Sequence, residues 1–311
     1  MPCEMPEVSV IIPTYNRHHS IASTIESVMK QTFFDIEIII VNDSKDEEQL
    51  LKLIGQLNDN RIFYLKNQRK KGANGARNTG FLNAKGKYIA FLDDDDRWHA
   101  DKIEKQIIKF NESSNEVGIV YSGYEIVSAS LPGVSRKIIP KKNGDIQRDI
   151  ISGNFIGSPT PLIKRSVFPD GPPYDENLES AQDWELWIRL SGITRVEYVE
   201  EVLAEYIVHG GQISLDLPKK LNSLDYIIKK HGALYSKNRK ALSTIYIKTA
   251  ILLFLIGRTT ECRKRLIKAM AAYWFRRGPL FHLILSFFPE FYRGYIDRNI
   301  ARTYDQYKMI F

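Results

Sequence analysis

Cysteine is nearly absent: the 311 residues contain two, Cys3 and Cys262. Their separation excludes a Cys-x-x-Cys metal or redox motif, and two thiols cannot build a disulfide framework. A reducing, cytoplasmic setting is therefore expected. Long apolar runs are missing too. The longest, 250–257 and 280–288, the second broken by His282 and Ser286, fall well short of the roughly 18–20 residues that span a bilayer as a helix. No transmembrane helix is predicted. The first seven residues carry two prolines and two glutamates and lack the basic stretch that opens a secretory signal. There is no repeat of fixed period and no low-complexity segment. With 43% hydrophobic and 26% charged residues, the chain can bury a substantial core, which excludes disorder as its main theme. Its length suits one large domain or two ordinary ones.

Acidic charge is the next shortage, but only locally. Lys and Arg number 44 against 37 Asp and Glu, a net of +7. Residues 257–311 hold eleven basic and four acidic residues, which accounts for the whole surplus and leaves 1–256 neutral. A nucleic-acid partner for the main body is thereby excluded, because neutralising phosphates needs a basic surface there.

Between residues 8 and 122, short apolar runs rich in β-branched residues alternate with helical patterns. Runs 8–12, 36–41, 62–65, 88–92 and 118–121 read as buried strands. Between them Ile21/Ile25/Val28, Leu50/Leu51/Ile54/Leu57 and Ile103/Ile107/Ile108 recur at helical spacing. Repeated βα units imply an α/β fold with a mostly parallel sheet flanked by helices, and such sheets bind ligands beyond the carboxyl ends of their strands. Residues 123–160 read as loops and short strands, 180–191 as a helix and 196–206 as extended. From about residue 218 the pattern is helical, with a boundary expected near 215.

The chemistry-bearing residues follow strand ends. Pro13-Thr14-Tyr15-Asn16-Arg17 closes the first strand, as a turn or as a binding loop. Asp43, in Val41-Asn42-Asp43-Ser44, reads either as a cap for the helix starting near Asp46 or as an acceptor for a base or ribose. The stretch 72–80 is glycine-rich around Arg77, yet lacks the Lys-Ser/Thr of a Walker A loop and does not match Gly-x-Gly-x-x-Gly. It reads as flexible backbone entering a helix, with Arg77 placed to meet a phosphate. Asp93-Asp94-Asp95-Asp96, directly after the apolar 88–92, is the most pointed feature. Adjacent carboxylates repel unless a cation sits among them, and hard oxygen ligands beside a phosphate substrate suit Mg²⁺ or Mn²⁺. Asp96 reads as partly a solvated helix start.

Val-Ser-Val-Ile-Ile-Pro-Thr-Tyr-Asn-Arg (8–17), Val-Asn-Asp (41–43), Gly-Ala-Arg-Asn-Thr-Gly (75–80) and Phe-Leu-Asp-Asp-Asp-Asp (91–96), in this order, resemble the family 2 inverting glycosyltransferases of GT-A, Rossmann-like fold. The resemblance covers residues 7 to about 215. It implies metal-dependent transfer of a sugar from a nucleoside diphosphate, most naturally a UDP-sugar, with Mn²⁺ or Mg²⁺ as cofactor. Pro13, Thr14, Tyr15 and Asp43 would hold the base and ribose, and Arg77 would lie near the nucleotide. Asp93, Asp94 and Asp95 match the family's DxD motif, Asp93 toward the ribose or sugar and Asp95 on the metal. Asp183, in Ser180-Ala181-Gln182-Asp183-Trp184-Glu185, takes the place of the general base. Gln182 departs from the usual glutamate, and a helix-start carboxylate stabilised by the dipole is the other reading of Asp183. His209, in 206–214, would contact the diphosphate or the metal, or be a plain loop residue. The stretch 157–161 would line the acceptor side. No Gln-x-x-Arg-Trp motif is present, which speaks against a processive polysaccharide synthase.

On this reading residues 1–215 form the catalytic domain, with a nucleotide half at about 7–122 and an acceptor half at about 123–215. Residues 216–311 form a basic helical tail. Arg263-Lys264-Arg265 and Trp274-Phe275-Arg276-Arg277 interleave cations with aromatics, as an interfacial helix does. Packing on the catalytic domain is the other use of such a tail. The expected acceptor is a hydroxyl of a glycan or lipid-linked glycan at the cytoplasmic face of a membrane. Two other readings stay open: synthesis of a polyprenyl-phosphate sugar, in which Asp183 matters little, and sugar-nucleotide binding without catalysis.

Overall fold

The computed structural model describes residues 5–17, 20–131, 133–168, 171–209, 216–274 and 277–303, with side chains of 277 and 299–303 left aside. Cys3, the boundary near 215, residues 210–214 and Arg276 lie outside the described residues.

The first half runs β1 (Val8–Thr14), α1 (Ile21–Met29), β2 (Ile36–Asn42), α2 (Glu48–Leu57), β3 (Ile62–Lys66), α3 (Ala73–Asn83), β4 (Tyr88–Phe91), the two-residue β5 (Arg97–Trp98) and α4 (Lys102–Glu112). The second half continues with β6 (Val117–Ser128), β7 (Ser135–Ile138), α5 (Gln147–Ile150), β8 (Leu162–Lys164), α6 (Gln182–Leu190) and β9 (Arg195–Val208). Helices α7 (Leu217–Lys230), α8 (Gly232–Lys237), α9 (Arg239–Leu255), α10 (Thr259–Ala272), α11 (Arg277–Leu285) and α12 (Pro289–Thr303) follow.

The strands form one mixed sheet in the order β3-β2-β1-β4-β8-β6-β9-β5, with β7 paired to β6. β1 pairs in parallel with both β2 and β4, β2 with β3, and β6 with β9. The expected strand at 118–121 is the start of the longer β6, and it does not neighbour β4. The three-residue β8 lies between them, antiparallel to both. Three residues are too few to carry a readable alternation, so this insertion was invisible in the pattern.

Both faces of the sheet are covered, which is why its strands are continuously apolar rather than alternating. Side chains of a strand point alternately to opposite faces. Val8, Val10 and Ile12 accordingly pack with Ile21, Ile25 and Val28 of α1 and with Ile103 and Phe110 of α4. Ile11, Ile39 and Val41 face the other way, onto Ala76 and Phe81 of α3. That second core continues without a break through Trp184, Leu186 and Trp187 of α6 into Leu224, Ile245, Leu253, Leu266 and Tyr292 of the C-terminal helices. The helical region therefore packs on α6, in the second half of the sheet domain.

The glycine-rich stretch is not a loop. Helix α3 starts at Ala73, just after Gly72 at φ 123, and runs through Gly75, Arg77 and Gly80. A Cβ on Gly75 would lie 1.8 Å from the Lys70 carbonyl oxygen, and one on Gly80 would lie 2.4 Å from Cγ2 of Ile11. These glycines let the helix lie close against the sheet and the preceding loop.

Candidate active site

Beyond the carboxyl ends of β1, β2 and β4 lies a cavity of about 850 Å³, where an open parallel sheet binds its ligands. Asp43 stands at one end. It accepts hydrogen bonds from the Gly72 N–H at 2.8 Å and Asn67 Nδ2 at 2.6 Å. It does not cap α2; Asp46 Oδ1 accepts the Glu48 N–H at 3.2 Å instead. Pro13, Thr14 and Tyr15 line the same end, and Lys71 Nζ lies 5.0 Å from the centre of the half-exposed Tyr15 ring.

The four aspartates take four different partners. Asp93 accepts from Arg77 Nη2 at 2.5 Å and from Ser158 Oγ at 3.2 Å. Asp94 accepts from Thr14 Oγ1 at 2.7 Å and Arg17 Nη1 at 3.1 Å. Burial pushes the Asp94 carboxyl up to about 6, against the pull of Thr14 and Arg17. Asp95 meets both Arg17 and His209, the latter with Nε2 at 2.8 Å. Asp96 corrects an expectation. Far from being a solvated helix start, it is 0% exposed and accepts the Ile207 N–H at 3.0 Å, tying the acidic loop to β9. Burial, reinforced by Asp95 and Asp93, holds its carboxyl well above the usual range.

Arg77 lines the same cavity. Its guanidinium is engaged by Asp93, by Gln182 Oε1 at 2.9 Å and by the Tyr174 ring at 5.1 Å. Burial works against this cation, but Asp93 outweighs it and the pKa rises. Gln182, the residue that replaces a glutamate, thus has a partner of its own. Arg77 thereby links the acidic loop to α6.

Asp183 opens α6 and faces the same cavity. Asn154 Nδ2 donates to its Oδ2 at 2.8 Å. Burial raises the Asp183 pKa; the Trp184 N–H and Arg77 oppose that rise without cancelling it. Ala181, the residue just before α6, is held at φ 55, a left-handed conformation that costs an L-residue roughly 1–2 kcal/mol. Asn16, in the loop between Tyr15 and Arg17, is also at φ 55. Strain of this kind persists where surrounding structure over-determines it, and here it flanks the cavity on both sides.

The profile described as "Glycosyl transferase family 2" matches residues 9–168, half of the chain and all four sequence motifs. The chain belongs to glycosyl transferase family 2. Among its relatives, the Escherichia coli UDP-Glc:alpha-D-GlcNAc-diphosphoundecaprenol beta-1,3-glucosyltransferase WfaP is 34% identical over 237 residues, 73% of this chain and 88% of that protein. An uncharacterized glycosyltransferase of Rickettsia prowazekii is 35% identical over 212 residues, 67% of this chain; the match spans 65% of that protein's length. Two solved structures share the GT-A fold. S. aureus TarS 1-349 in complex with UDP-GlcNAc has a TM-score of 0.60 at 17% identity, covering 96% of this chain and 92% of that one. The Pyrobaculum calidifontis mannosyltransferase in complex with GDP-Man and Mn²⁺ has a TM-score of 0.58 at 15% identity, covering 94% and 87%.

The residues of this family 2 chain fit a divalent cation in a particular way. No group of three or more His, Cys, Asp or Glu side chains is gathered for a metal among the described residues. Asp95 and His209 do converge, at 2.8 Å. Mg²⁺ is usually held by one or two carboxylates with substrate phosphates completing the shell, and Asp95 supplies one such carboxylate. Arg17 supplies positive charge to Asp94 and Asp95. Arg17 was quoted in the first motif without being assigned a role, and only its contact across 77 residues reveals one. Asn154 had no local signal at all.

Proposed function

We propose that the chain is an inverting glycosyltransferase that moves a hexosyl group from a UDP-sugar to a hydroxyl of a lipid-linked glycan. The observation that carries this reading is the placement of Asp183, with its raised pKa, in one cavity with Asp93, Asp94 and Asp95. The UDP-sugar and the diphosphate-lipid acceptor are named for the E. coli relatives, and TarS binds UDP-GlcNAc.

In this reading Pro13, Thr14, Tyr15 and Asp43 hold the base and ribose, and Asp93 faces the donor sugar. Asp94 is braced by Thr14 and Arg17, so it shapes the acidic loop from behind. Asp95 and His209 hold Mn²⁺ or Mg²⁺, which when bound neutralises charge gathering on the leaving diphosphate. Asp183 takes the proton from the acceptor hydroxyl. The oxygen's electron pair forms the new bond to the anomeric carbon from the face opposite the diphosphate, which departs with the electrons of the old bond. The configuration at that carbon inverts.

Residues 1–215 carry this chemistry, while 216–311 close the acceptor end and supply a membrane-facing surface. Asp183→Asn is expected to lower kcat by about 10²–10⁴-fold while UDP-sugar still raises the melting temperature. If Asp183→Asn and Asp95→Ala both left transfer unchanged, the proposal would be lost.

A further inference from the structure

The cavity continues past Asp183, and its chemistry changes there. Besides the acidic loop, its lining includes Asp183 and the cations Arg136 of β7, Lys220 of α7 and Lys248 of α9. A chain of contacts fixes the order along the cavity. Asp43 holds Gly72, which precedes α3; Arg77 on α3 joins Asp93 to Gln182; and Asp183, next along, is held by Asn154. Lys248 comes last. Its Nζ donates to the Ser152 carbonyl at 3.0 Å and lies 5.6 Å from the centre of the Trp184 ring. Both partners are close neighbours in sequence of the base and of the residue that holds it. A Cβ on Gly153 would lie 2.5 Å from Lys248 Nζ, so a glycine there leaves room for the amine.

A neutral glycan needs no cations beyond the base. We infer that Lys248 and Lys220, together with Arg136 of the same cavity, form a subsite for the diphosphate that links the acceptor sugar to its lipid. The inference rests on the transfer reading above and deepens it. An acceptor whose reacting hydroxyl lies at Asp183 carries its diphosphate on the far side of one sugar ring, away from the donor, and that is where the cations stand. Ammonium groups at phosphate oxygens form charge-assisted hydrogen bonds, the stronger kind. Ile126, Ile138 and Leu224 line the same cavity and offer apolar surface to the first part of a lipid chain.

The test compares two soluble probes: N-acetylglucosamine joined through a diphosphate to a short alkyl chain, and the same sugar as a neutral alkyl glycoside. For Lys248→Met and Lys220→Met, the ratio of kcat/KM on the charged probe to that on the neutral one is expected to fall on the order of tenfold, the loss of one charge-assisted bond. Lys248→Arg should restore the ratio, which separates charge from packing. Calorimetric binding of the two probes gives the same ratio without turnover, so a failure of the transfer reading leaves this measurement standing. An unchanged ratio would overturn the inference. So would a rise in donor KM at constant ratio, which would assign these cations to the nucleotide.

Discussion

Asp183 is set by influences of opposite sign. Burial raises its pKa, while the Trp184 N–H, the Arg77 cation and the Asn154 amide stabilise the charged form. A base must be ionised to accept a proton, so activity falls as pH drops through its pKa. Asn154→Ala removes one of the groups that favour the carboxylate. The acid limb of kcat/KM against pH is therefore expected to move to higher pH, with little change at the alkaline end where Asp183 is ionised in any case. A limb that stays in place would show that another group sets it. At this scale the sequence spoke clearly for residues that follow strand ends. Asp43, Asp93 and Asp95 sit where short apolar runs stop, and their positions follow from periodicity. Asn154 and Arg17 act through contacts 29 and 77 residues away in the chain. No local pattern encodes such pairs. Asp96 was misjudged for a related reason: burial depends on β9, whose approach to the acidic loop is a tertiary fact.

Helix α6 holds Asp183, the proposed base, and what holds α6 is visible two residues on. Glu185 is fully buried and accepts from Arg189 Nε at 3.0 Å, with Lys230 Nζ at 2.9 Å and His231 Nε2 at 3.0 Å. Lys230 ends α7 and His231 precedes α8, so this carboxylate joins the catalytic helix to the C-terminal helices. Burial alone would raise the Glu185 pKa, but hydrogen bonds from His231, Arg189 and Lys230 outweigh it and bring it to about 2 from 4.5. A depressed carboxylate stabilises the fold fully above its unfolded value and loses that contribution as pH falls through the folded one. Glu185→Gln is accordingly expected to cost about 3 kcal/mol at pH 7. The gap to wild type should close as pH falls from 4.5 toward 2. Urea unfolding at pH 7 and at a pH inside that window checks both, and a gap independent of pH would mean that shape rather than charge is lost. The helix itself was legible from Trp184, Leu186, Trp187 and Leu190. Its anchoring was not, because the partners of Glu185 lie 45 and 46 residues downstream in elements whose packing the pattern does not specify. β8 was lost for want of length, whereas β1, β2 and β4, buried on both faces, could hardly be mistaken.

The molecule as a whole divides its surface unequally. The net charge of +7 belongs to residues 257–311, and the same region exposes large apolar groups: Trp274 at 75%, Phe291 at 74%, and Phe287, Phe288 and Ile284 at more than half. Beside them stand Arg263, which stacks on the Phe287 ring at 4.0 Å, and the exposed Lys264, Lys268 and Arg293. Apolar patches of this kind mark binding surfaces. A second copy of the chain is a poor occupant, since pairing these faces would bring two +7 regions together. An anionic bilayer suits both features, with aromatics entering the headgroup boundary and each nearby cation worth about 1 kcal/mol. No helix among the described residues is long and apolar enough to cross a membrane. The protein is expected to sediment with vesicles rich in phosphatidylglycerol and not with pure phosphatidylcholine, and added salt should release it. Replacing Trp274, Phe287 and Phe291 by Ser should weaken vesicle binding by at least about tenfold, since each buried aromatic contributes on the order of 1.5–3 kcal/mol. Turnover of a short-chain, water-soluble acceptor should stay near wild type, because these side chains line no part of the cavity. Equal binding to neutral and anionic vesicles would remove the electrostatic part of the argument. Sedimentation velocity showing a dimer that the same replacements abolish would replace the bilayer by a second subunit.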